Sequence, residues 1–256
     1  MTETFNPFSL QDKNILITGA SSGIGRQCAV DCSKVGANVI LFGRNESRLA
    51  ETISLMKKGN HLYVSCELTE SSILSDTISN VVAQVGRIDG IVNCAGISSI
   101  LPLKLITQTK LEEAFKVNVF SAIEITREAT KKKNINPKGA SIVFISSIMA
   151  VRGEKAKTLY GMTKGALLSA SKSLALELAP RNIRVNCISP GAILTPINAN
   201  LPHMTDPEKR EKLESHHPLG LGATSDISNA CIFLLSNASR WITGQNIIID
   251  GGYTCI

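Results

Sequence analysis

The chain has 256 residues, of which 43% are hydrophobic and 19% are charged, and its formal net charge is +6. This length and apolar content suit one α/β domain with a substantial core, and no apolar run is long enough to span a membrane. Aromatic residues make up 4% of the chain and no basic stripe is interleaved with them, which argues against a nucleic-acid partner.

The cysteines and the N-terminus bear on where the protein works. The seven cysteines show no metal-ligand spacing and lie mostly in apolar segments, so we expect reduced core thiols and no bound metal. The first nine residues lack a basic segment followed by an apolar one, so no signal peptide is expected. Together these features predict a cytoplasmic protein.

Apolar runs of strand length alternate with amphipathic segments of helix length along the chain. Strands are predicted near 14–17, 38–42, 62–66, 88–92, 141–145, 183–188 and 246–249. Helices are predicted near 24–35, 45–57, 71–85, 109–132, 158–179 and 226–236. Continuous apolar strands indicate a sheet covered on both faces, and the alternation indicates parallel βαβ units. The sequence therefore predicts an α/β fold with a doubly wound parallel sheet of about seven strands and helices on both faces.

One segment interrupts this alternation. Between 197 and 222, prolines and glycines surround a short polar helix predicted at 206–215. Long insertions in compact domains are often lids or binding loops, so this segment is a candidate substrate loop. The alternative is a solvent-exposed surface loop with no role in binding.

A glycine-rich turn follows the first predicted strand, in the stretch Thr18-Gly-Ala-Ser-Ser-Gly-Ile-Gly25. A strand, a glycine turn and a helix in this order are the context that a dinucleotide site requires. Gly19 would allow the tight turn, Gly23 would let the backbone approach a pyrophosphate, and Gly25 would let the helix pack closely on the sheet. An ordinary strand-to-helix turn of small residues is the alternative.

A tyrosine and a lysine four residues apart share one face of the predicted helix 158–179. These are Tyr160 and Lys164, and Ser147 lies thirteen residues before the tyrosine. We expect the ammonium to lower the pKa of the phenol from its usual value near ~10. The serine hydroxyl would hold a carbonyl oxygen while the phenol donates its proton.

Together the motifs resemble the short-chain dehydrogenase/reductase family over most of the chain, from about Leu10 to Gly252. They are Thr18–Gly25, Asn93-Cys-Ala-Gly96, Asn118, Ile145-Ser-Ser147, Tyr160-x-x-x-Lys164, Pro190-Gly191 and Asp250-Gly-Gly252. The resemblance implies one Rossmann-type NAD(P)-binding domain over 1–256. It also implies four catalytic residues, Asn118, Ser147, Tyr160 and Lys164.

Each catalytic residue has a role by this resemblance. Tyr160 is the acid in reduction and the base in oxidation, and Lys164 lowers its pKa and holds the nicotinamide ribose. Ser147 orients the carbonyl oxygen, and Asn118 positions a water that links Lys164 to solvent. For Asn118, a bond to the backbone is a purely structural alternative.

The end of the second strand bears on the choice of cofactor. NAD-binding sheets often carry an acidic residue there, whereas this chain has Gly43 followed by Arg44. Because a guanidinium can form charge-assisted bonds to a 2′-phosphate, the sequence predicts NADP(H). Asn45 would assist, and Glu67 stands where the family often has an aspartate that contacts adenine.

The resemblance extends the cofactor site to several strand ends. The implied set is Gly19, Ser21, Ser22, Gly23, Ile24, Gly25, Arg44, Asn45, Glu67, Leu68, Asn93, Ala95, Gly96, Tyr160, Lys164, Pro190, Gly191, Ile193 and Thr195. Cys94 departs from the family pattern, which usually has asparagine there.

The C-terminal third is most similar to 3-oxoacyl-[acyl-carrier-protein] reductases, which favours a 3-oxoacyl thioester as substrate and a role in fatty acid biosynthesis. An acidic carrier protein would need a basic docking patch, for which the candidates are 131–133, Lys138 and Arg181, which we expect to flank the site. Leu221 weakens this interpretation, because such reductases commonly have arginine there. An enoyl reductase is disfavoured, because that branch spaces its tyrosine and lysine more widely.

Two other functions stay open. One is oxidation or reduction of a free sugar, polyol, steroid or small alcohol, because specificity lies in loops rather than in the shared motifs. The other is a dinucleotide-binding sensor without catalysis. The resemblance also implies a homotetramer formed through the helices 109–132 and 158–179.

Overall fold

A seven-stranded parallel sheet forms the centre of the computed structural model, which describes residues 5–196 and 205–255. The strands are β1 (Asn14–Thr18), β2 (Asn38–Gly43), β3 (Leu62–Ser65), β4 (Gly90–Asn93), β5 (Ala140–Ile145), β6 (Ile183–Pro190) and β7 (Asn246–Ile249). Their order is β3-β2-β1-β4-β5-β6-β7. The chain reverses its direction of travel across the sheet between β1 and β4, and ligands bind at such a point in doubly wound folds.

Helices cover both faces of the sheet. They are α1 (Gly23–Lys34), α2 (Glu46–Ser54), α3 (Ser71–Val85), α4 (Gln108–Phe115), α5 (Ser121–Ala129), α6 (Thr158–Leu178), α7 (Pro207–Ser215) and α8 (Thr224–Leu235). α1 and α8 pack together on one face, and α3, α5 and α6 lie on the other. No helix in the described part of the chain combines the length and apolarity that a membrane crossing requires.

The alternation of side chains along a strand divides the core into two layers. Ile15 and Ile17 of β1 pack against α1 and α8, while Leu16 between them packs against the helices of the opposite face. All three are fully buried, as expected when neighbouring side chains of a doubly covered strand point to opposite faces. The seven cysteines are free thiols, and Cys28, Cys32, Cys187 and Cys231 are buried in these layers.

The predicted strands and helices are confirmed to within a few residues, with one difference in kind. The segment predicted as a continuous helix over 109–132 is α4, a π-helical turn at Lys116–Phe120, and α5. The short polar helix is α7, which Asp206 caps by accepting a hydrogen bond from the backbone N–H of Lys209 (3.3 Å). Residues 197–204 of the predicted insertion lie outside the described residues.

The basic residues predicted to flank the site lie at the other edge of the sheet, so that expectation is wrong for a single chain. Lys131 and Lys138 precede β5, and Arg181 precedes β6, where its guanidinium donates to the Thr130 carbonyl (2.6 Å). Residues before parallel strands lie at the amino-terminal edge, whereas the motif residues follow the strands. The six residues of β5 separate the two edges by about 17 Å.

Candidate active site

A cavity of about 750 Å³ opens at the carboxyl-terminal edge of the sheet. It brings together nearly all of the predicted residues. Those in its wall are Gly19, Ser21, Ser22, Gly23, Ile24, Gly25, Arg44, Asn45, Glu67, Leu68, Ala95, Gly96, Ser147, Tyr160, Lys164, Pro190, Gly191, Ile193 and Thr195. Asn93 and Asn118 are the two exceptions, since both are buried behind the wall.

The glycine turn has the close approaches that its motif predicts. Gly19 has a positive φ of 67°, and a Cβ there would lie 2.9 Å from the Cα of Ala95. A Cβ on Gly25 would lie 2.3 Å from the carbonyl oxygen of Gly19. No side chain caps the start of α1 at Ser22, so its first N–H groups are available to an anion. This cradle fits a dinucleotide pyrophosphate.

Replacing Gly25 with alanine is expected to destabilise the fold and weaken NADPH binding. The new Cβ would meet a backbone oxygen that has no room to move, and such overpacking costs about 1–3 kcal/mol. Urea unfolding and NADPH fluorescence titration measure the two effects. Gly153→Ala is the matched control, because a Cβ there has no atom within 4 Å. Unchanged stability and affinity in Gly25→Ala would contradict the cradle.

A second predicted cluster lies at the end of β2. The Arg44 side chain is 73% exposed, and it makes a long ion-pair contact of 3.6 Å with Glu67. Asn45 caps α2 by accepting a hydrogen bond from the N–H of Arg48 (3.0 Å). This cap fixes the backbone immediately after Arg44. Arg48 also lines the cavity, and sequence reasoning did not single it out. Two arginines in this wall, with Gly43 where NAD-binding sheets often have an acid, fit a 2′-phosphate.

Thr18 and Asn93 support the loop after β4 from below. The Thr18 hydroxyl accepts hydrogen bonds from the N–H groups of Cys94 (3.0 Å) and Ala95 (3.1 Å). The Asn93 amide donates to the Thr126 hydroxyl of α5 (3.1 Å), and the side chain is 3% exposed. The Asn93 side chain therefore supports the loop from the side of α5, and a contact of this residue with the cofactor stays a prediction.

Ser147, Tyr160 and Lys164 meet in the cavity wall. Ser147 follows β5 and its Oγ accepts a hydrogen bond from the N–H of Met149 (3.2 Å). The neighbouring Ser146 hydroxyl instead donates to the carbonyl of Lys164 (2.8 Å), so it is occupied in holding α6. Lys164 Nζ donates to the Ile145 carbonyl (2.8 Å) and lies 5.8 Å from the Tyr160 ring centroid.

The pKa values of this pair differ from the sequence expectation. Burial raises the pKa of Tyr160 to about 12, although its hydrogen bond with Ser147 acts in the opposite direction. Burial lowers the pKa of Lys164 to about 8. The expectation of a lowered phenol pKa is therefore wrong for the chain without cofactor, because burial dominates the shift. The phenol is protonated at neutral pH, the state in which it can act as an acid.

Asn118 joins two elements of the site. It lies in the π-helical turn, a feature that is frequent at functional sites. Its Oδ1 accepts from the N–H of Ile97 (2.7 Å), and its Nδ2 donates to the Ile97 carbonyl (2.9 Å) and the Thr163 hydroxyl (3.0 Å). Asn118 thus fastens the loop after β4 to α6, and the water-positioning role stays a prediction.

Three segments that the motifs did not single out complete the cavity wall. The loop residues Ser98, Glu154 and Lys157 line it, and α7 contributes Lys209 and Lys212 with His216 just beyond. The sequence could have predicted that Lys157 lies beside Tyr160, because it stands three residues before it and residues three apart share a helix face.

His217 and Tyr253 anchor α7 to the C-terminal segment. The two rings stack with centroids 4.6 Å apart, and the Arg152 guanidinium lies 4.2 Å from the tyrosine centroid. His217 Nε2 accepts from the N–H of Ala192 (3.3 Å), and Nδ1 donates to the Leu213 carbonyl (2.7 Å). These bonds tie the helix beside the cavity to the loop after β6.

The motifs, the sheet order and the cavity agree with comparisons to known proteins. The family model described as Enoyl-(Acyl carrier protein) reductase matches residues 19–254. L-rhamnose 1-dehydrogenase (NAD(P)(+)) of Sphingomonas sp. (strain SKA58) is 34% identical over 249 residues, which are 95% of this chain and 96% of that protein. This chain belongs to the short-chain dehydrogenase/reductase family.

Other members of the short-chain dehydrogenase/reductase family are similar to an equal degree. The 3-oxoacyl-[acyl-carrier-protein] reductase of Rickettsia bellii (strain RML369-C) is 34% identical over 244 residues, covering 95% of this chain and 97% of that one. A structure from Beutenbergia cavernae with bound NADP, provisionally assigned as a gluconate 5-dehydrogenase, has a TM-score of 0.90 at 27% identity. It covers 98% of this chain and 100% of that one. The chain is thus an oxidoreductase of CH–OH groups.

Proposed function

We propose that the protein interconverts a secondary alcohol and a ketone on a small polyhydroxylated substrate, a sugar or a polyol, with NADP(H). The observation that carries this proposal is the wall around Ser147 and Tyr160. Ser98, Glu154 and His216 are hydrogen-bonding groups in that wall, and a substrate rich in hydroxyls can satisfy them. A site built to bond hydroxyl groups also rejects analogues that lack them.

The cofactor residues support NADP(H) over NADH. Arg44 and Arg48 offer positive charge where NAD-binding sheets often have an acid. The structural neighbour with bound NADP supports the same choice. When bound, NADP(H) supplies or accepts the hydride. The residues that would hold it are the glycine cradle, the Arg44 cluster and the loop at 190–195.

The proton is handled by the chain itself. In reduction, the Tyr160 hydroxyl donates its proton to the carbonyl oxygen, and the Ser147 hydroxyl holds that oxygen in place. In oxidation the phenolate takes the proton back, and the cation of Lys164 stabilises that anion. With a pKa of about 12 in the free chain, the phenol is protonated at neutral pH and carries the proton that the reduction step needs.

Reduction of a 3-oxoacyl thioester is the second candidate. The Rickettsia bellii reductase supports it, since its identity and coverage equal those of the rhamnose dehydrogenase. The position of Lys131, Lys138 and Arg181 at the opposite edge weighs against docking of a carrier protein beside the cavity of the same chain. Enoyl reduction is not proposed, because Tyr160 and Lys164 are only four residues apart.

Cofactor turnover with matched substrates separates the candidates. We expect NADP⁺ reduction with glucitol or L-rhamnose, or NADPH oxidation with L-xylulose, at a higher kcat/KM than with 3-oxobutanoyl-coenzyme A. The reverse order would favour the thioester. NADPH binding without turnover of any of these would favour the non-catalytic sensor.

Assembly and location stay predictions. Phe120 and Leu176 are exposed apolar residues on the helical segments predicted to form a homotetramer, and their exposure supports that assembly. The cytoplasmic location rests on the sequence features alone.

A further inference from the structure

Lys157 is a buried cation in the wall of the cavity, beside the tyrosine of the site. The side chain is 8% exposed, and its Nζ lies 5.5 Å from the Tyr160 ring centroid. Its Nζ donates a hydrogen bond to the Ser98 hydroxyl at 3.4 Å. Within residues 5–196 and 205–255, no carboxylate lies within 4 Å of this ammonium group, and residues 197–204 include no acid.

The surroundings of Lys157 do not favour a cation. Burial lowers the pKa of its ammonium group, which the more distant Glu154 partly offsets. Lys157 also stands at the N-terminal end of α6, where the helix dipole favours negative charge and no side chain caps the free N–H groups. The preceding residue, Ala156, has a positive φ of 63°, which is unfavourable for a residue with a Cβ. Stability alone therefore does not explain a lysine here.

An anion from outside the chain would satisfy these groups together. It would pair with the ammonium of Lys157, accept from the Ser98 hydroxyl, and lie at the positive end of α6. Lys212 also lines the cavity and adds positive charge, whereas Lys209 is already paired with Asp206 (2.6 Å). Glu154 in the same wall would repel an anion, and it would repel a doubly charged one more strongly.

We propose that Lys157 binds a carboxylate of the substrate, so that the preferred substrate is a polyhydroxy acid such as a sugar acid. This inference rests on the proposed function and names the substrate class for the same cavity. A single buried cation with one nearby acid suits a monoanion, which is why a carboxylate is favoured over a phosphate. The carboxylate positions the hydroxyl or keto group against Tyr160 and is not altered in the reaction.

The test compares acids with neutral alcohols of the same carbon chain. NADP⁺ reduction is measured with gluconate and glucitol, and with glycerate and glycerol, for the wild type, Lys157→Gln, Lys157→Arg and Lys155→Gln. Lys155 is the matched control, because it lies two residues away, is exposed and does not line the cavity. NADPH binding is measured for each variant to show that it is folded.

We expect the wild type to prefer the acid of at least one pair by roughly tenfold to a hundredfold in kcat/KM, as for a buried hydrogen bond to a charged group. Lys157→Gln should remove this preference through a higher KM for the acid, Lys157→Arg should keep part of it, and Lys155→Gln should keep all of it. The KM for the neutral alcohol should not rise in Lys157→Gln.

Several outcomes would overturn the inference. If Lys157→Gln still prefers the acid, the carboxylate is bound by another group and not by Lys157. Turnover of neutral alcohols without any acid preference, or a preference for glucose 6-phosphate over gluconate, would reject the carboxylate while leaving the proposed function intact. No turnover of any of the four alcohols or of the sugars tested above would reject the proposed function, and the inference with it.

Discussion

Replacing Tyr160 with phenylalanine is expected to lower kcat by about 10³-fold or more while NADPH still binds, since general acid–base catalysis alone contributes about 10²–10⁴-fold. The substitution removes only the hydroxyl. The ring, its packing and the position of Lys164 stay as they are, because Lys164 Nζ is held by the Ile145 carbonyl and not by the phenol. Steady-state turnover and NADPH titration on the same preparation measure the two properties.

Tyr63 provides the matched control for this substitution. Its hydroxyl lies at the far edge of the sheet, on β3, where it bonds the Glu46 carboxylate (3.1 Å). Tyr63→Phe should therefore leave kcat unchanged. Turnover of Tyr160→Phe at the wild-type rate would show that the proton comes from another group, and loss of NADPH binding would show that the phenol is needed to build the cavity.

The fold was largely predictable because its signals are local. Runs such as Ile15–Ile17 are apolar at every position, which only a strand covered on both faces requires. The glycine turn was predictable for the same reason, since its motif is contiguous and the contact of Gly25 lies within the turn, although Gly19 also meets the distant Ala95. Each of these inferences needed only the neighbours in sequence.

The errors arose where a property depends on the path of the chain. Lys131 and Arg181 lie near the motifs in sequence, but each precedes its strand, and strand direction alone puts them at the opposite edge. The contacts of the Asn93 side chain also depend on that path, because it points to α5 while the other residues of its motif line the cavity. Consecutive side chains of a strand point to opposite faces, so a shift of one position decides whether a side chain lines the cavity or packs behind it.

Burial explains the remaining differences. A tyrosine and a lysine four residues apart suggest a lowered phenol pKa, but both groups are removed from water and the desolvation of each dominates. Lys157 was missed for a related reason. Lysines are mostly exposed, and only the folded chain shows that this one is enclosed between Ser98 and Tyr160.

Replacing Arg44 with aspartate is expected to reverse the cofactor preference. The guanidinium is largely exposed and only loosely paired with Glu67, so it is free to bond a 2′-phosphate. Its loss removes a charge-assisted bond and brings a carboxylate towards that phosphate, so kcat/KM with NADPH should fall by about 10²–10³-fold. The kcat/KM with NADH should change far less, because NADH has a ribose 2′-hydroxyl that can donate a hydrogen bond to the new carboxylate.

A matched control keeps the change in net charge the same. Arg240→Asp alters an exposed arginine at the amino-terminal edge of the sheet, beside the residues that precede β1 and β5. It should leave the ratio of the two kcat/KM values unchanged, which separates a local contact from a general loss of positive charge. If Arg44→Asp also leaves that ratio unchanged, Arg44 does not contact the phosphate. The preference would then have to come from Arg48, which lines the same wall.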